Sequence, residues 1–402
     1  MDANRLKKDF PILTSQPLIY LDTAASSLTP QCVIDTMNEY YTEYPVNVHR
    51  GVYQISYRAT KHYTEARQTI ADFINAEYEE TVFTRGASSA LNLVATSYGL
   101  NHLQAGDEII VSELEHHSHI LPWQQVAKKT GAKLIYVPLN KDGRITVENF
   151  KKVLSDKTKV VALTYVSNVM GYETPLSEII PLAHQKHAIV SVDAAQAAPH
   201  KHIDVKALDC DFLAFSGHKM FGPTGIGVLY GKRQYLDKLE PIEFGGDMND
   251  NVDLYDAVWK DSPYKFETGT PPIAEAIGLA EAVRYIQSLN PQAILNHELK
   301  LKKRAVEALL DIEGVTVYNP GSETGIITFN LEGVHPHDAV SFFDQENIAM
   351  RAGHHCAQLI IKWLKVPATL RASFYAYNTE DDVDHFIDVV KKARAFFTSV
   401  GF

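Results

Sequence analysis

The sequence predicts an α/β fold with a mostly parallel sheet, followed by a smaller α+β unit. Between about residues 81 and 230, short β-rich runs alternate with helical patterns, which is typical of βαβ units. The runs are continuously apolar, as expected for strands that are covered on both faces. The predicted strands are 81–84, 108–112, 133–139, 159–167, 188–193 and 211–216.

Helical periodicity flanks this region on both sides, at 63–74 and at 383–397. Strand-like stretches at 315–331 and 369–376 indicate the second, smaller unit.

The segment SLNPQ interrupts one helical pattern before the next begins. We therefore predict a large domain at 20–287. We predict a smaller domain composed of 1–19 and 288–402, which carries the candidate nucleophile Cys356.

Composition excludes several classes of protein. The chain has 402 residues and a net charge of −11, which argues against nucleic acid and anionic membranes as main partners. It contains neither a long apolar run nor a secretory signal pattern. Three scattered cysteines, Cys32, Cys210 and Cys356, do not form a disulfide scaffold. We expect a cytoplasmic protein, and we read Cys32 and Cys210 as structural.

Polar clusters follow the ends of several predicted strands. Ligands of open α/β sheets bind at the carboxyl ends of the strands, so we expect these loops to meet at one rim. The clusters are RGASS, ELEHHSH, NVMGY, AAQ and GHK.

Asp193 ends one predicted strand and Lys219 follows the next. Pyridoxal phosphate requires such a pair, because the amine forms a Schiff base and the carboxylate keeps the pyridine nitrogen protonated. Singly, a strand-end Asp is more often a helix cap, and a Lys more often a surface group. Together with the other loops they predict a pyridoxal phosphate site.

The phosphate of this cofactor requires donors. RGASSALNLVA turns into a helix, whose free N–H groups and Ser88 hydroxyl suit an anion, although a plain serine cap would use the same residues. Ser216 and His218 flank the lysine. The glycines of GPTGIG are expected to permit close backbone approach.

The segment EHHSH offers a histidine to stack on the cofactor ring, and we choose His116. A zinc cluster is the alternative, but consecutive histidines seldom converge on one ion without further ligands. We expect no metal.

The segment RAGHHCAQ places Cys356 beside two histidines. Nearby imidazolium lowers a thiol's pKa and increases its nucleophilic fraction. Arg371 is a candidate for binding a substrate carboxylate through two of its guanidinium nitrogens. The alternatives are a buried structural cysteine and a surface ion pair.

Taken together, the motifs resemble those of SufS-type cysteine desulfurases, within the class V group of aminotransferase-fold enzymes. The resemblance spans nearly the whole chain and implies a PLP-dependent transferase fold of the aspartate aminotransferase type. The motifs that carry it are LDTAASSLTP, VHRGVY, EHHSHILPW, VSNVMG, VDAAQ, DFLAFSGHKMFGPTGIGVLY, FETGTP and RAGHHCAQ.

The resemblance implies roles for the matching residues. Lys219 looks like the Schiff-base lysine and Cys356 the persulfide-forming nucleophile, with His116 as the stacking, proton-moving histidine. Further cofactor or substrate contacts are implied for Asp193, Gln196, Ser88, Ser216, His218, Asn168, Arg371 and His49. Thr270 matches a threonine that reaches the phosphate of the other subunit, which implies a homodimer.

The implied activity converts L-cysteine to L-alanine and supplies sulfur for iron–sulfur cluster assembly through an acceptor of the SufU or SufE type. The segment VHPHD resembles the Gram-positive branch, whose acceptor is of the SufU type. Many relatives have Thr-Thr-Glu where this chain has Ala87-Ser88-Ser89, and Leu359 replaces a frequent proline.

Two rival interpretations remain open. One is a selenocysteine lyase, a cysteine sulfinate desulfinase or an aminotransferase on the same scaffold. The other is a metal-binding scaffold protein without enzymatic activity.

Overall fold

The structure is a computed structural model that describes residues 1–400. The helices are α1 Ala3–Leu6, α2 Pro11–Ser15, α3 Gln31–Glu43, α4 Gln54–Phe73, α5 Ala87–Val94, α6 Leu100–His102, α7 His117–Thr130, α8 Val147–Val153, α9 Leu176–His184, α10 Val205–Leu208, α11 Arg233–Leu236, α12 Ile273–Leu289, α13 Pro291–Leu310, α14 Pro336–Gln345, α15 Gln358–Trp363 and α16 Glu380–Ser399. The strands are β1 Ile19–Tyr20, β2 Thr81–Thr84, β3 Glu108–Ser112, β4 Lys133–Val137, β5 Thr158–Thr164, β6 Ile189–Asp193, β7 Phe212–Ser216, β8 Gly227–Gly231, β9 Asn249–Val252, β10 Ala257–Trp259, β11 Val315–Val317, β12 Ile326–Leu331, β13 Ile348–Ala349, β14 Arg351–Gly353 and β15 Thr369–Ser373.

The large sheet has seven strands in the order β2-β8-β7-β6-β5-β3-β4. Strands β3 to β7 pair in parallel, and β8 runs antiparallel to both β2 and β7. The predicted, mostly parallel sheet is confirmed, and each of the six predicted strands forms. Strand β8 was not predicted, because it is short and begins and ends with glycine.

The glycine at the start of β8 has a steric reason. A Cβ atom added to Gly227 would lie 2.4 Å from the Cα of Gly86, at the end of the loop after β2. The expected close backbone approach is therefore confirmed, and it brings β8 against the loop that precedes α5.

Both faces of the sheet are covered by helices. In β5, Val160 and Ala162 pack in one buried cluster with residues of α5 and α7. The alternating residues Val161 and Leu163 pack in another, with residues of α4, α9 and α12. A strand that is buried on both faces cannot alternate apolar with polar residues, which explains the continuous apolar runs.

The smaller sheet has the order β11-β12-β15-β14 and is antiparallel. Phe329 and Leu370 of this sheet pack against Leu301 of α13 and Phe386 of α16. Strand β1 pairs in parallel with β13, so the early chain returns to this unit.

The predicted helix break is confirmed at the junction of α12 and α13. Asn290 caps α13 by accepting a hydrogen bond from the N–H of Gln292 at 3.0 Å, and Pro291 occupies the first helical turn. Leu6 and Phe10 pack with the core of the large sheet. The proposed domain bounds stay a prediction, and their last two residues, 401–402, lie outside the described part. Within residues 1–400, each helix is too short or too polar to span a lipid bilayer.

Candidate active site

The loops at the carboxyl ends of the parallel strands surround one cavity of about 190 Å³. The cavity also receives residues from the smaller sheet, so the two units meet there. Of the residues singled out from the sequence, those that line it are Ser88, His116, Asn168, Asp193, Gln196, Ser216, His218, Lys219, Cys356 and Arg371.

Lys219 lies in the single 3-10 turn that follows β7, and Asp193 is the last residue of the neighbouring β6. Burial lowers the pKa of the Lys219 amine to about 8, partly opposed by the charge of Asp193. The Oδ1 atom of buried Asp193 accepts the N–H of Ala195 at 2.9 Å. The site thus holds an amine that deprotonates readily beside a carboxylate fixed in orientation.

His116 is the N-cap of α7. Its Nδ1 accepts the N–H of Ser118 at 3.1 Å, so the neutral ring carries its proton on Nε2. Burial and the nearby Lys219 charge lower the pKa of His116 to about 4. The ring is therefore neutral at pH 7 and held rigidly by the helix that it caps.

The start of α5 provides donors for an anion. Gly86, with φ 153°, precedes the helix without a side-chain cap, and the N–H of Ala87 donates to Ser216 Oγ at 2.8 Å. The Oγ of Ser88 lies 2.6 Å from the Oγ of Ser118. Burial and Lys219 lower the pKa of His218 to about 4, so its ring is also neutral.

Gln196 is buried and donates through Nε2 to the carbonyl of Ala24 at 2.6 Å. This bond uses one of its two amide protons. The other proton and the amide oxygen are free for a ligand in the cavity, which is compatible with the predicted donor role.

Arg371 is buried, and only part of its hydrogen-bonding capacity is used. Its Nη1 donates to the carbonyl of Asn168 at 2.9 Å and its Nη2 pairs with Asp22 at 3.3 Å, while its Nε has no partner. The Nδ2 of Asn168 donates to the carbonyl of His355 at 2.7 Å, and its buried Oδ1 is also without a partner. Buried polar atoms are rarely unpaired, so both residues have capacity for a ligand.

Cys356 is exposed and has the left-handed backbone angle φ 53°, as does His355 before it. His355 is buried, its Nε2 lies 2.9 Å from Thr369 Oγ1, and burial lowers its pKa to about 2. Cys356 therefore sits at the mouth of the cavity, on a turn whose inner side is anchored.

Two predicted residues lie outside this cavity. Thr270 is exposed beside a separate cavity of about 610 Å³ that also touches Ser88. His49 is exposed, and its ring packs near Tyr63 and Tyr264. The chain by itself does not bring them to Lys219, and their roles stay predictions.

Sequence reasoning missed three residues of the site. Ser118 lies in the EHHSH segment, but only the histidines of that segment were considered as candidate site residues. Asp22 pairs with both Arg371 and Arg351, and Arg351 lines the cavity. Contacts that join residues hundreds of positions apart leave no signal in a single sequence. No group of His, Cys, Asp and Glu arranged to hold a metal ion occurs within residues 1–400.

Residues 19–386 match the family model described as aminotransferase class-V. The chain belongs to the class V aminotransferase family. The chain is 52% identical to a protein named probable cysteine desulfurase from Halalkalibacterium halodurans, and the match covers 100% of both chains. It is 51% identical to the protein of the same name from Staphylococcus aureus strain Mu50, across 99% of this chain and 98% of the relative.

Solved structures agree with this family. The class V chain superimposes on the cysteine desulfurase CsdA of Escherichia coli with a TM-score of 0.93 and 37% identity, covering 98% and 99% of the two chains. For the apo cysteine desulfurase of Thermococcus onnurineus NA1, the TM-score is 0.94 and the identity 41%, covering 98% of each chain. The predicted PLP-dependent transferase fold is confirmed.

Members of the class V family are PLP-dependent, and the residues of this cavity fit that cofactor. Lys219 supplies an amine that takes part in no hydrogen bond or ion pair of the described residues, and Asp193 supplies a carboxylate beside it. The start of α5 holds the donors for a phosphate, since the helix begins without a side-chain cap and Ser88 lines the cavity. The donor set therefore matches an aldehyde, a pyridine nitrogen and a phosphate.

Proposed function

We propose that the protein converts L-cysteine to L-alanine and retains the sulfur as a persulfide on Cys356, from which it supplies iron–sulfur cluster assembly. The observation that carries this proposal is that one cavity contains Lys219, Arg371 and the exposed Cys356. An amine for covalent cofactor attachment, a guanidinium for the substrate carboxylate and an accessible thiol together suit sulfur transfer from an amino acid.

When bound, pyridoxal phosphate withdraws electrons from the α-carbon of the amino acid attached to it. Asp193 would hold a proton at the pyridine nitrogen and so maintain this electron demand. Because its pKa is lowered to about 8, Lys219 is unprotonated near neutral pH far more often than an ordinary lysine, and that amine would remove the α-proton. Neutral His116, which lines the cavity, would stack on the ring of the bound cofactor and keep water away from that face.

Arg371 orients the substrate. Its position, fixed by Asp22 and by the carbonyl of Asn168, leaves Nε free to donate to the substrate carboxylate. A buried guanidinium binds such a carboxylate strongly, since little water competes for it. The carboxylate contact directs the substrate side chain, which carries the sulfur, towards the cavity mouth.

Cys356 is then the nucleophile. Its thiolate attacks the substrate sulfur, a new S–S bond forms, and the C–S bond breaks with its electron pair passing to the β-carbon. Protonation of that carbon yields L-alanine. All atoms are accounted for, because L-cysteine plus the enzyme thiol gives L-alanine plus the enzyme persulfide.

The proposal includes partners. The exposed turn of Cys356 suits delivery of the sulfur to an acceptor protein of the SufU or SufE type. Large apolar side chains of the hairpin β9–β10 are exposed, including Leu254 and Tyr255, which supports a homodimer in which Thr270 reaches the neighbouring subunit. All three cysteines are free, in keeping with a reducing cytoplasmic setting.

The test is to measure L-alanine and sulfide released from L-cysteine by the wild type and by Cys356→Ala. We expect the variant to retain the cofactor absorbance and to lose at least about a thousandfold in alanine formation, because the nucleophile is absent. Cys32→Ala, which removes a half-buried thiol on α3, is the matched control and should keep full activity.

Undiminished alanine output from Cys356→Ala would refute the proposed nucleophile. If the wild type acted on selenocysteine or cysteine sulfinate but hardly on L-cysteine, the rival activity on the same fold would be correct.

A further inference from the structure

The two adjacent histidines at the start of α7 face different parts of the site. His116 lines the cavity. His117 meets the turn that carries Cys356, and its backbone N–H donates to the carbonyl of Cys356 at 2.7 Å. Its side chain returns to the same turn, where Nε2 accepts the N–H of Gln358 at 3.1 Å. One residue thus contacts the turn twice, at the nucleophile itself and two residues further along the chain.

The turn that carries Cys356 needs support from surrounding residues. His355 and Cys356 are consecutive non-glycine residues with φ 53°, a left-handed conformation that is unfavourable for residues with a Cβ atom. Such conformations persist where surrounding contacts hold them. Asn168 and Thr369 hold His355 on the inner side, and His117 holds the outer side of the turn.

The anchor is itself rigid. His117 is the first residue of α7, and the His116 ring caps the same helix. His116, which lines the cavity, and His117, which supports the Cys356 turn, are therefore consecutive residues at the start of α7. A displacement of the turn relative to the cavity would require breaking the bonds at the start of α7.

We propose that His117 is a positioning residue, which fixes the Cys356 turn so that the thiol reaches the sulfur of a substrate held by Arg371. This inference rests on the proposed function, since it concerns the step in which Cys356 attacks. A displacement of reacting groups by about 1 Å can lower a rate by as much as about a hundredfold. A residue that holds the Cys356 turn in place should therefore increase the rate of attack.

The essential atom is the Nε2 acceptor, and side-chain geometry allows it to be tested. A glutamine places an amide oxygen at the ε position, whereas an asparagine places it at the δ position. His117→Gln should therefore retain the bond to Gln358, while His117→Asn and His117→Ala should lose it. Leu121→Ala, at an exposed position one turn further along α7, is the matched control.

The first measurement is hydrogen exchange of the Gln358 amide in the holoenzyme and in the cofactor-free protein. Removal of one hydrogen bond should increase that exchange about tenfold in His117→Ala and His117→Asn, with wild-type rates in His117→Gln and Leu121→Ala. The second measurement is turnover. The kcat for L-cysteine should fall about tenfold in the same two variants, with KM within about twofold, because the substrate is bound by other residues.

A third measurement separates positioning from general damage. The cofactor absorbance should be unchanged in His117→Ala. The turnover of cysteine sulfinate should also be unchanged, because sulfinate is a better leaving group than sulfide and needs attack by Cys356 less. Wild-type amide exchange and kcat in His117→Ala would overturn the inference, and so would a His117→Gln variant as impaired as His117→Asn. Failure of the proposed function is distinguished by Cys356→Ala, which would then remain active whatever the His117 variants do.

Discussion

The central cavity and the outer surface around Thr270 differ in how far one chain completes them. In the cavity, Asp193 and Arg371 are buried and held by other residues of the same chain. At the outer surface, Thr270 is exposed and has one weak side-chain contact, from Asn47 Nδ2 at 3.4 Å. Its surroundings include an open cavity rather than a packed core.

The loop that carries Thr270 is nevertheless anchored by partly buried hydrogen bonds. The carboxylate of Glu267 accepts hydrogen bonds from Arg67 Nη1 at 2.5 Å and from the N–H of Phe83 at 2.7 Å. This anchor fixes the loop that carries Thr270, although the loop faces solvent. In the β9–β10 hairpin that precedes this loop in the chain, Leu254 and Tyr255 are 92% and 99% exposed, as apolar side chains of an interaction surface are.

A well-ordered surface can therefore still be exposed and open to a partner. One chain supplies the amine, the carboxylate and the guanidinium of the cavity, whereas the Thr270 surface is ordered but exposed. A second copy of the chain would supply a counterpart, and substitutions in the two regions should then behave differently.

The largest effect is expected in the cavity, from Lys219→Ala. Removal of the amine should lower alanine formation from L-cysteine at least about a thousandfold, since it eliminates both the tether and the base. Borohydride reduction followed by mass spectrometry should label Lys219 in the wild type and give no label in the variant. Lys238→Ala, at an exposed position in the same region of the chain, should have full activity. Turnover of Lys219→Ala within about tenfold of the wild type would contradict the assignment.

A smaller effect is expected on stability. The folded protein lowers the pKa of Lys219 from 10.5 to about 8, so between these values the unfolded chain binds more protons. The free energy of unfolding of the cofactor-free protein therefore rises with pH across this window, and the unfavourable contribution is complete below pH 8. Lys219→Met should remove it and stabilise the cofactor-free protein at pH 7 by up to about 3 kcal/mol.

Urea unfolding of both cofactor-free proteins at pH 7 and pH 10 measures this difference. The advantage of Lys219→Met should shrink at the higher pH. An advantage that does not change with pH would show that packing, and not the charge of the amine, is responsible.

Much of the fold could be predicted because its signals are local. The continuous apolar runs identified β2 to β7, and the segment SLNPQ identified the junction of α12 and α13. Strand β8 was missed because its glycines serve a contact with Gly86, which no local pattern reports. The hairpin β9–β10 was missed because its exposed apolar residues do not alternate with a buried face.

The site divides in the same way. Asp193 and Lys219 follow strand ends, and the topology of a parallel sheet brings such residues together. Cys356 and Arg371 were singled out by chemistry and resemblance, but their support by Asn168, Asp22 and His117 is made of long-range contacts. The sequence prediction already assigned Cys356 and Arg371 to the smaller unit, and the structure shows the contacts that bring them to the cavity.

The smallest of the expected effects concerns the Thr270 surface. If Thr270 donates to the cofactor phosphate of the other subunit, Thr270→Ala should weaken cofactor binding about tenfold, the usual effect of losing one hydrogen bond to a charged group. Cofactor absorbance during dilution or dialysis measures that loss.

Mixed dimers decide in which chain Thr270 acts. A dimer of one Thr270→Ala subunit and one Lys219→Ala subunit contains one cavity with an intact Lys219, and its neighbour supplies an intact Thr270. That cavity should retain the cofactor as tightly as the wild type and have about half of the activity of a wild-type dimer, with one competent cavity out of two. If it instead released the cofactor as readily as the Thr270→Ala homodimer, Thr270 would act within its own chain or not at all. The exposed surface would then need another explanation.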